Sequence, residues 1–327
     1  MNGSIGPLFF FPIYRDYLWG GDRIAKRYRR SIPQNRCAES WEISARPEGP
    51  SVVEMGPLAG ARLTELVNQY PSALMGEAHQ AAFPLLIKLI DARETLSVQV
   101  HPNQTTALRS GGEPKTEMWY VLDADPGAAV YLGFQEGVTR REIEAAARAG
   151  TVDQLLVRRP VSAGEAIFVP GGCVHAIGAG CLMFECQQSS NTTFRLFDWN
   201  RMGRDGRPRE LHVERALEAI DWGGQTLAAG RPASESLGAG GVEDLVQCDY
   251  FRVRRIRFEE SFKVDADPPR FQILFMAEGE AELLWNDGTV PIPFGRTVLL
   301  PAEIREALVH PSGRPATALL VDVPLSA

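Results

Sequence analysis

The chain has 327 residues, 44% hydrophobic and 23% charged, the make-up of a globular protein long enough to bury two cores. Its 34 basic and 41 acidic side chains leave a net charge of -7 with no extended Lys/Arg run, which argues against a nucleic-acid surface. No apolar run approaches the ~20 residues of a membrane span. Residues 1–14 lack a signal-peptide pattern, and five cysteines without zinc-finger or scaffold spacing fit free thiols in a reducing cytoplasm.

Taken in chain order, residues 1 to about 60 read as irregular, rich in Pro, Gly and Arg, with short strand-like pieces such as Trp41-Glu42-Ile43-Ser44. Leu63, Leu66 and Val67 share one helical face. Strands are expected at Phe83–Asp91, Leu96–Val100, Glu117–Leu122 and Ala129–Phe134. Lys88 lies in the first of these between Ile87 and Leu89, where a lysine normally extends to solvent. Residues 138–157 form a helical insertion, with Thr139 as N-cap, Glu142 three residues on, and a split into two helices at Gly150-Thr151. Strands resume at Glu165–Val169, Cys181–Gln187 and Thr192–Phe197. A turn-rich loop at 202–208, a short helix at Val213–Ile220 and a Gly/Ala/Ser linker over 223–241 follow. From Phe251 to Pro324 the pattern is strand after strand, with Asn286-Asp287-Gly288 as a hairpin turn.

The two strand-rich regions read as distant repeats. Ala163–Pro170 parallels Phe294–Pro301, a Gly turn leading into an apolar strand that stops at proline. Met118–Leu122 likewise parallels Gln272–Met276. The expected fold is therefore mainly β, with two jelly-roll barrels. Residues 1–240 would carry the site and residues 241–327 a metal-free relative with a structural role.

The chemistry concentrates in the first region. Gln99 and His101 are two apart on a strand and so share a face. Glu117 sits among Met118, Trp119, Tyr120, Val121 and Leu122, where an unpaired carboxylate is costly, and Lys115 shares its face. His175 follows the Pro170-Gly171-Gly172 turn. Any one of these residues alone reads as a satisfied polar group. Jointly, two imidazoles, a carboxylate and an amide suit zinc with a position left for water or substrate. Cys173 reads as a small buried hydrophobe rather than a further ligand. Arg195 alone would pair with Asp198 or Glu185, Trp19 and Trp41 read as packing residues, and Arg209-Glu210-Leu211-His212 reads as a structural clasp.

With these pieces assembled, the chain resembles the type I mannose-6-phosphate isomerases (phosphomannose isomerases), in the short bacterial form built on cupin barrels, that is, double-stranded β-helices. The resemblance rests on Trp19-Gly20-Gly21, Ala38–Ser44, Pro84–Lys88, Leu96–Asn103, Lys115–Tyr120, Pro170–Ile177 and Gln187–Arg195, in that order and spacing. It implies a cytoplasmic enzyme with one zinc per chain, held by Gln99, His101, Glu117 and His175, that interconverts mannose 6-phosphate and fructose 6-phosphate. It places Arg195 in the active site, Glu185 in proton transfer, and Ser97, Lys88 and Lys115 along the pocket; the catalytic base is then Lys115, Glu185 or a histidine, and Lys88 or Arg195 meets the substrate phosphate. Aldose–ketose isomerisation moves a proton between adjacent carbons through an enediol(ate), which needs a base, a held negative charge and a group orienting two oxygens. The implied partner is a sugar phosphate, without nucleic acid or membrane, and the chain would be a monomer or homodimer. Two alternatives stand beside this reading: a metal cupin acting on another sugar or sugar phosphate, and a non-catalytic sugar-binding regulator.

Overall fold

The structure, a computed structural model, describes residues 5–77, 82–223, 230–231 and 240–324. The Gly/Ala/Ser linker expected over 223–241 lies largely outside the described residues. By packing, the described residues within 14–40 and 88–233 form one compact unit, and those within 1–13, 41–87 and 234–327 form another.

The first set of strands is β1 (Ile13–Arg15), β2 (Glu39–Ile43), β3 (Leu85–Ala92), β4 (Val98–Val100), β5 (Glu117–Ala124) and β6 (Ala129–Phe134). It continues with β7 (Leu156–Pro160), β8 (Ala166–Val169), β9 (Val174–Ile177), β10 (Cys181–Gln188), β11 (Phe194–Phe197) and β12 (Gly230–Arg231). They make a seven-stranded sheet, ordered β1-β2-β3-β10-β5-β8-β12, and a five-stranded sheet, ordered β11-β4-β9-β6-β7. The two-residue period of a strand explains the layering. Ile90, Trp119, Val121, Ile167, Ile177 and Met183 belong to one apolar cluster. The alternate residues Val98, Val100, Val174, Ala176, Phe194 and Leu196 belong to another, which includes residues of the helices Arg140–Ala149 and Val213–Ala219.

The helix Arg140–Ala149 starts as expected. Thr139 accepts from the Glu142 N–H while the Glu142 carboxylate accepts from the Thr139 N–H. It stops at Gly150, which is left-handed, with φ 71°. Beyond it the second predicted helix is absent: Val152–Leu155 is a single 3-10 turn and Leu156–Pro160 is β7. The open edge of β6 offers that segment a hydrogen-bonded ladder, which replaces a helix too short to sustain itself.

The second set is β13 (Val242–Gln247), β14 (Arg252–Phe258), β15 (Phe262–Asp265), β16 (Gln272–Glu278) and β17 (Ala281–Trp285). Then come β18 (Gly288–Ile292), β19 (Thr297–Leu300), β20 (Glu306–Pro311) and β21 (Ala316–Asp322). Their sheets are ordered β13-β14-β21-β16-β19 and β15-β20-β17-β18. These orders repeat β2-β3-β10-β5-β8 and β4-β9-β6-β7 strand for strand, so the chain contains two copies of one cupin-like topology. The ladders also correct the repeat alignment by one residue. Glu117 lies opposite Val169 and Gln272 opposite Leu300, so Gln272 corresponds to Glu117 rather than to Met118. A one-residue shift exchanges the two faces of a strand.

Gly178 lies at the end of β9 where the main chain closes on β6. A Cβ there would stand 2.2 Å from the Ala129 carbonyl oxygen. Gly178→Ala should lower the melting temperature by roughly 5 °C or more, read by calorimetry. An unchanged melt would show that the two strands can part without cost.

Candidate active site

The interior between the two sheets of the first copy is apolar along most of its length and polar at one end. The same strand period that buries Ile90, Trp119 and Met183 turns Lys88, Glu117 and Glu185 inward from β3, β5 and β10. All three are buried. On the facing sheet, Arg195, Gln99 and His175 form a transverse row across β11, β4 and β9, set by the pairs Arg195–Gln99 and Gln99–His175. His101 follows on the same face just past β4.

Three of these groups converge. His101 Nε2 is 3.5 Å from Glu117 Oε2, and His175 Nε2 is 3.4 Å from Glu117 Oε1. Their ligand atoms all lie within 4.8 Å of one another, and this is the one cluster of that kind among the described residues. Each imidazole is oriented by the main chain: His101 Nδ1 is 2.7 Å from the Thr192 carbonyl and His175 Nδ1 is 2.9 Å from the Cys173 carbonyl. A carbonyl only accepts, so Nδ1 carries the proton and the Nε2 lone pairs point into the space beside Glu117, where the Lys115 ammonium reaches His101 at 3.1 Å and the Gln99 amide nitrogen reaches His175 at 3.3 Å. Neither Glu117 oxygen accepts a well-angled hydrogen bond, although the Lys115 ammonium is 2.6 Å from Oε2 as an ion pair. A buried carboxylate in that condition, flanked by two imidazole lone pairs, fits a divalent metal ion. Gln99 borders the cluster. Its Nε2 lies 3.3 Å from His175 Nε2, and its oxygen accepts from the Ser97 hydroxyl at 3.3 Å.

Electrostatics favour the same reading. Burial lowers both imidazoles, His101 well below its usual range and His175 to about 4, so both are neutral at physiological pH. Burial likewise pushes Glu117 up to about 7 against the opposing pull of Lys115. Burial would also raise Glu185, but the Lys88 and Lys115 ammoniums outweigh it and hold its carboxyl below the ordinary value. Lys88 is 3.2 Å from Glu185 and 3.6 Å from Glu39, and despite burial these carboxylates hold its pKa above normal. Lys88 therefore does not extend to solvent as a mid-strand lysine usually does. Glu39, Glu117 and Glu185 gather three carboxyl groups around Lys88 and Lys115, an oxygen-rich setting for a cation. Cys173 behaves as a buried hydrophobe: burial pushes its thiol up to about 12, so it offers no thiolate.

Lys88, Gln99, Lys115, Glu117 and Glu185 line a cleft of 280 Å³ together with Ser97, Arg195, Trp19, Tyr17, Glu39 and Arg209. Every residue singled out from the sequence for catalysis or substrate binding thus lies at this cleft. Arg195 makes no ion pair with Asp198 or Glu185; its Nη1 donates to the Glu210 carbonyl at 2.7 Å. Arg209 belongs to the cleft as well, which the clasp reading missed. Glu39 and Tyr17 carried no sequence signal of their own. Gln187, also unforeseen, anchors the loop that holds His101: its Nε2 donates to the Gln188 and Ser190 carbonyls at 2.8 and 2.7 Å.

Comparison with known proteins agrees with this geometry. Residues 8–126 match the family model for the phosphomannose isomerase type I catalytic domain, and residues 242–318 match the model for the mannose-6-phosphate isomerase cupin domain. The chain is 36% identical to a mannose-6-phosphate isomerase of Streptococcus mutans over 305 residues, covering 91% of this chain and 93% of the relative. It is 35% identical to mannose-6-phosphate isomerase ManA of Bacillus subtilis, covering 92% and 94% respectively. The crystal structure of the mannose 6-phosphate isomerase from Bacillus subtilis superposes with a TM-score of 0.85 at 30% identity, covering 97% of this chain and all of that one.

Two outcomes follow from the cluster. His101→Ala and His175→Ala should each lose the stoichiometric metal seen by elemental analysis of the parent protein, and a full equivalent retained would sink the ligand set. Lys88→Met should destabilise the fold by about 3–5 kcal/mol in denaturant melts, because it removes the ammonium that pairs with the buried Glu185 carboxylate and the half-buried Glu39. A change under ~1 kcal/mol would mean that water reaches them.

Proposed function

The chain belongs to the type I phosphomannose isomerases, and from that premise we propose that it interconverts mannose 6-phosphate and fructose 6-phosphate as a cytoplasmic zinc enzyme. The observation that carries the reading is the buried carboxylate of Glu117 between two imidazoles whose Nε2 lone pairs point into the space beside it. His101, Glu117 and His175 would hold the ion, and the Gln99 amide oxygen would serve as fourth donor once the amide turns over, since its nitrogen faces His175 here. When bound, the ion supplies a Lewis-acidic centre that orients and polarises two oxygens of the substrate. The five cysteines remain free thiols, which fits a reducing compartment. In this reading residues 1–240 carry every group of the site, and residues 241–327 form a metal-free cupin-like domain.

The chain's own residues supply the rest of the chemistry. Glu185, held ionised by Lys88 and oriented by the Trp119 indole N–H at 3.0 Å, is suited to accept the proton that moves between C1 and C2. Lys115, beside Glu117, is suited to donate one to the developing enediolate. Arg195, half-buried and one strand from Gln99, adds fixed positive charge to the same cleft. Trp19 and Ile177 close the apolar wall, which keeps water from competing for the enediolate.

A coupled assay on purified protein tests the reading. Conversion of mannose 6-phosphate should disappear on chelation and return with zinc, and Arg195→Ala should lower kcat/KM by at least ~10²-fold. A protein with its full metal complement and no turnover of mannose 6-phosphate would redirect the assignment to another sugar phosphate. Full activity in Arg195→Ala would remove that residue from the mechanism.

A further inference from the structure

β11 is the end strand of its five-stranded sheet, and at Arg195 its free edge is taken by residues 210–212 instead of another strand. Three bonds hold Arg195 there. Its carbonyl accepts from the His212 main-chain N–H at 2.7 Å. Its own main-chain N–H donates to Nδ1 of the His212 ring at 3.2 Å, and its Nη1 donates to the Glu210 carbonyl at 2.7 Å. Two of these bonds use main-chain groups of 210–212 and do not depend on the side chains there. The third depends on the His212 ring, which stands where a further strand would put a carbonyl. Arg195 has few other tethers: it makes no ion pair among the described residues, and its Nε is buried without an acceptor. The place of its guanidinium at the cleft therefore depends on how the strand edge is held.

The direction of the ring bond fixes the tautomer. A main-chain N–H only donates, so Nδ1 carries no proton and the neutral ring keeps its proton on Nε2. His101 and His175 are the reverse, with the proton on Nδ1. A proton added at His212 Nδ1 would set two N–H groups against each other and break the bond. The surroundings keep the ring neutral. Burial, then the Arg195 charge on β11 and the Arg215 charge on the helix Val213–Ala219, hold His212 below the ordinary histidine value. Only the Glu210 carboxylate, exposed and 3.9 Å from Nε2, pulls the other way. The remaining neighbour on β11 is the Phe194 ring, edge-on at 6.4 Å, with the Arg215 guanidinium 4.5 Å from its centre.

We infer that His212 is the positioning residue for Arg195: the neutral ring, with its proton on Nε2, pins the edge of β11 so that the guanidinium stands at the cleft, and a protonated ring releases it. The inference rests on the proposed active-site role of Arg195, whereas the bond to Nδ1 does not. Residues 210–212 thus back an active-site arginine, a use the clasp reading did not contain.

The test uses the metal-loaded full chain with two variants. His212→Phe keeps an aromatic ring and removes the acceptor; His212→Asn puts an oxygen where Nδ1 stands and does not titrate. Nitrogen NMR of the parent should show Nδ1 bare and Nε2 protonated near neutral pH, in the signals that His212→Asn lacks. The Arg195 amide should exchange with solvent at least ~10-fold faster in His212→Phe and near the parental rate in His212→Asn. His212→Phe should lower kcat/KM for mannose 6-phosphate by about 10-fold with metal content unchanged, and His212→Asn should recover most of that loss. Below about pH 6.5 the parent should lose activity through a group that His212→Asn lacks. In an Arg195→Ala background, His212→Phe should cost less than about twofold, because the ring acts through that arginine.

A protonated Nδ1 in the parent, parental kinetics in His212→Phe, or losses that multiply in the double variant would overturn the inference. If His212→Phe does not fold, His212→Asn decides, since an acid limb identical to the parent's overturns it. The two readings fail separately. A parent with the expected tautomer and exchange pattern that does not turn over mannose 6-phosphate keeps the positioning of Arg195 and loses the isomerase. A parent that turns it over with Nδ1 protonated does the reverse.

Discussion

Much of the first copy's design follows from the burial of one carboxylate. Glu117 is 1% exposed, so water solvates it little. Its charge must be met by fixed groups: Lys115, at 2.6 Å, and Lys88 supply the positive charge, Glu185 adds a second negative one, and the facing sheet brings His101 and His175 alongside. The apolar remainder of the sandwich interior matters equally, because a low-dielectric surround makes each of these contacts count for more than it would at a surface. A polar cluster at one end and an apolar core at the other are complementary parts of a single interior.

The second copy shows what the same topology does when that constraint is removed. Gln272 stands where Glu117 does, and its Nε2 donates to the Asp265 carbonyl at 3.1 Å. Asp322 lies opposite Gln272, as Gln187 lies opposite Glu117, and pairs with Arg254 at 2.7 Å. The polar end of that sandwich neutralises itself, with carboxylate matched to guanidinium and amide to carbonyl. Leu274, Met276 and Leu320 fill the interior beyond it. The architecture is shared, and the difference in chemistry comes down to which side chains are left with unmet charge.

Much of this was legible before any coordinates. Alternation along Leu96–Val100 and the turn before Val174 place Gln99, His101 and His175 on strand ends, and a carboxylate amid apolar neighbours marks Glu117 as needing partners. What was illegible has physical reasons. In β3 nearly every residue is apolar, and all eight are buried, so periodicity gives Lys88 no preferred face. Glu39 sits at the start of a short strand, and Tyr17 and Arg209 reach the cleft from irregular segments, where no period predicts direction. Leu156–Pro160 carries no strand alternation that could outvote the helical pattern before it, and only the open edge of β6 decides its conformation. The one-residue offset between the repeats depends on cross-strand hydrogen bonds, which sequence similarity of two apolar strands does not register.

The acceptors that orient His101 and His175 are main-chain carbonyls, those of Thr192 and Cys173. A carbonyl group is present whichever side chain its residue bears. Drift at positions 192 and 173 can therefore alter size and polarity without deleting either acceptor, whereas a carboxylate in the same role would vanish with one codon change. The tautomer of both imidazoles is thus insured against point mutation at the residues that set it. The site's sensitivity to mutation is displaced outward, to those side chains, such as Gln187, that hold the supporting loop in place.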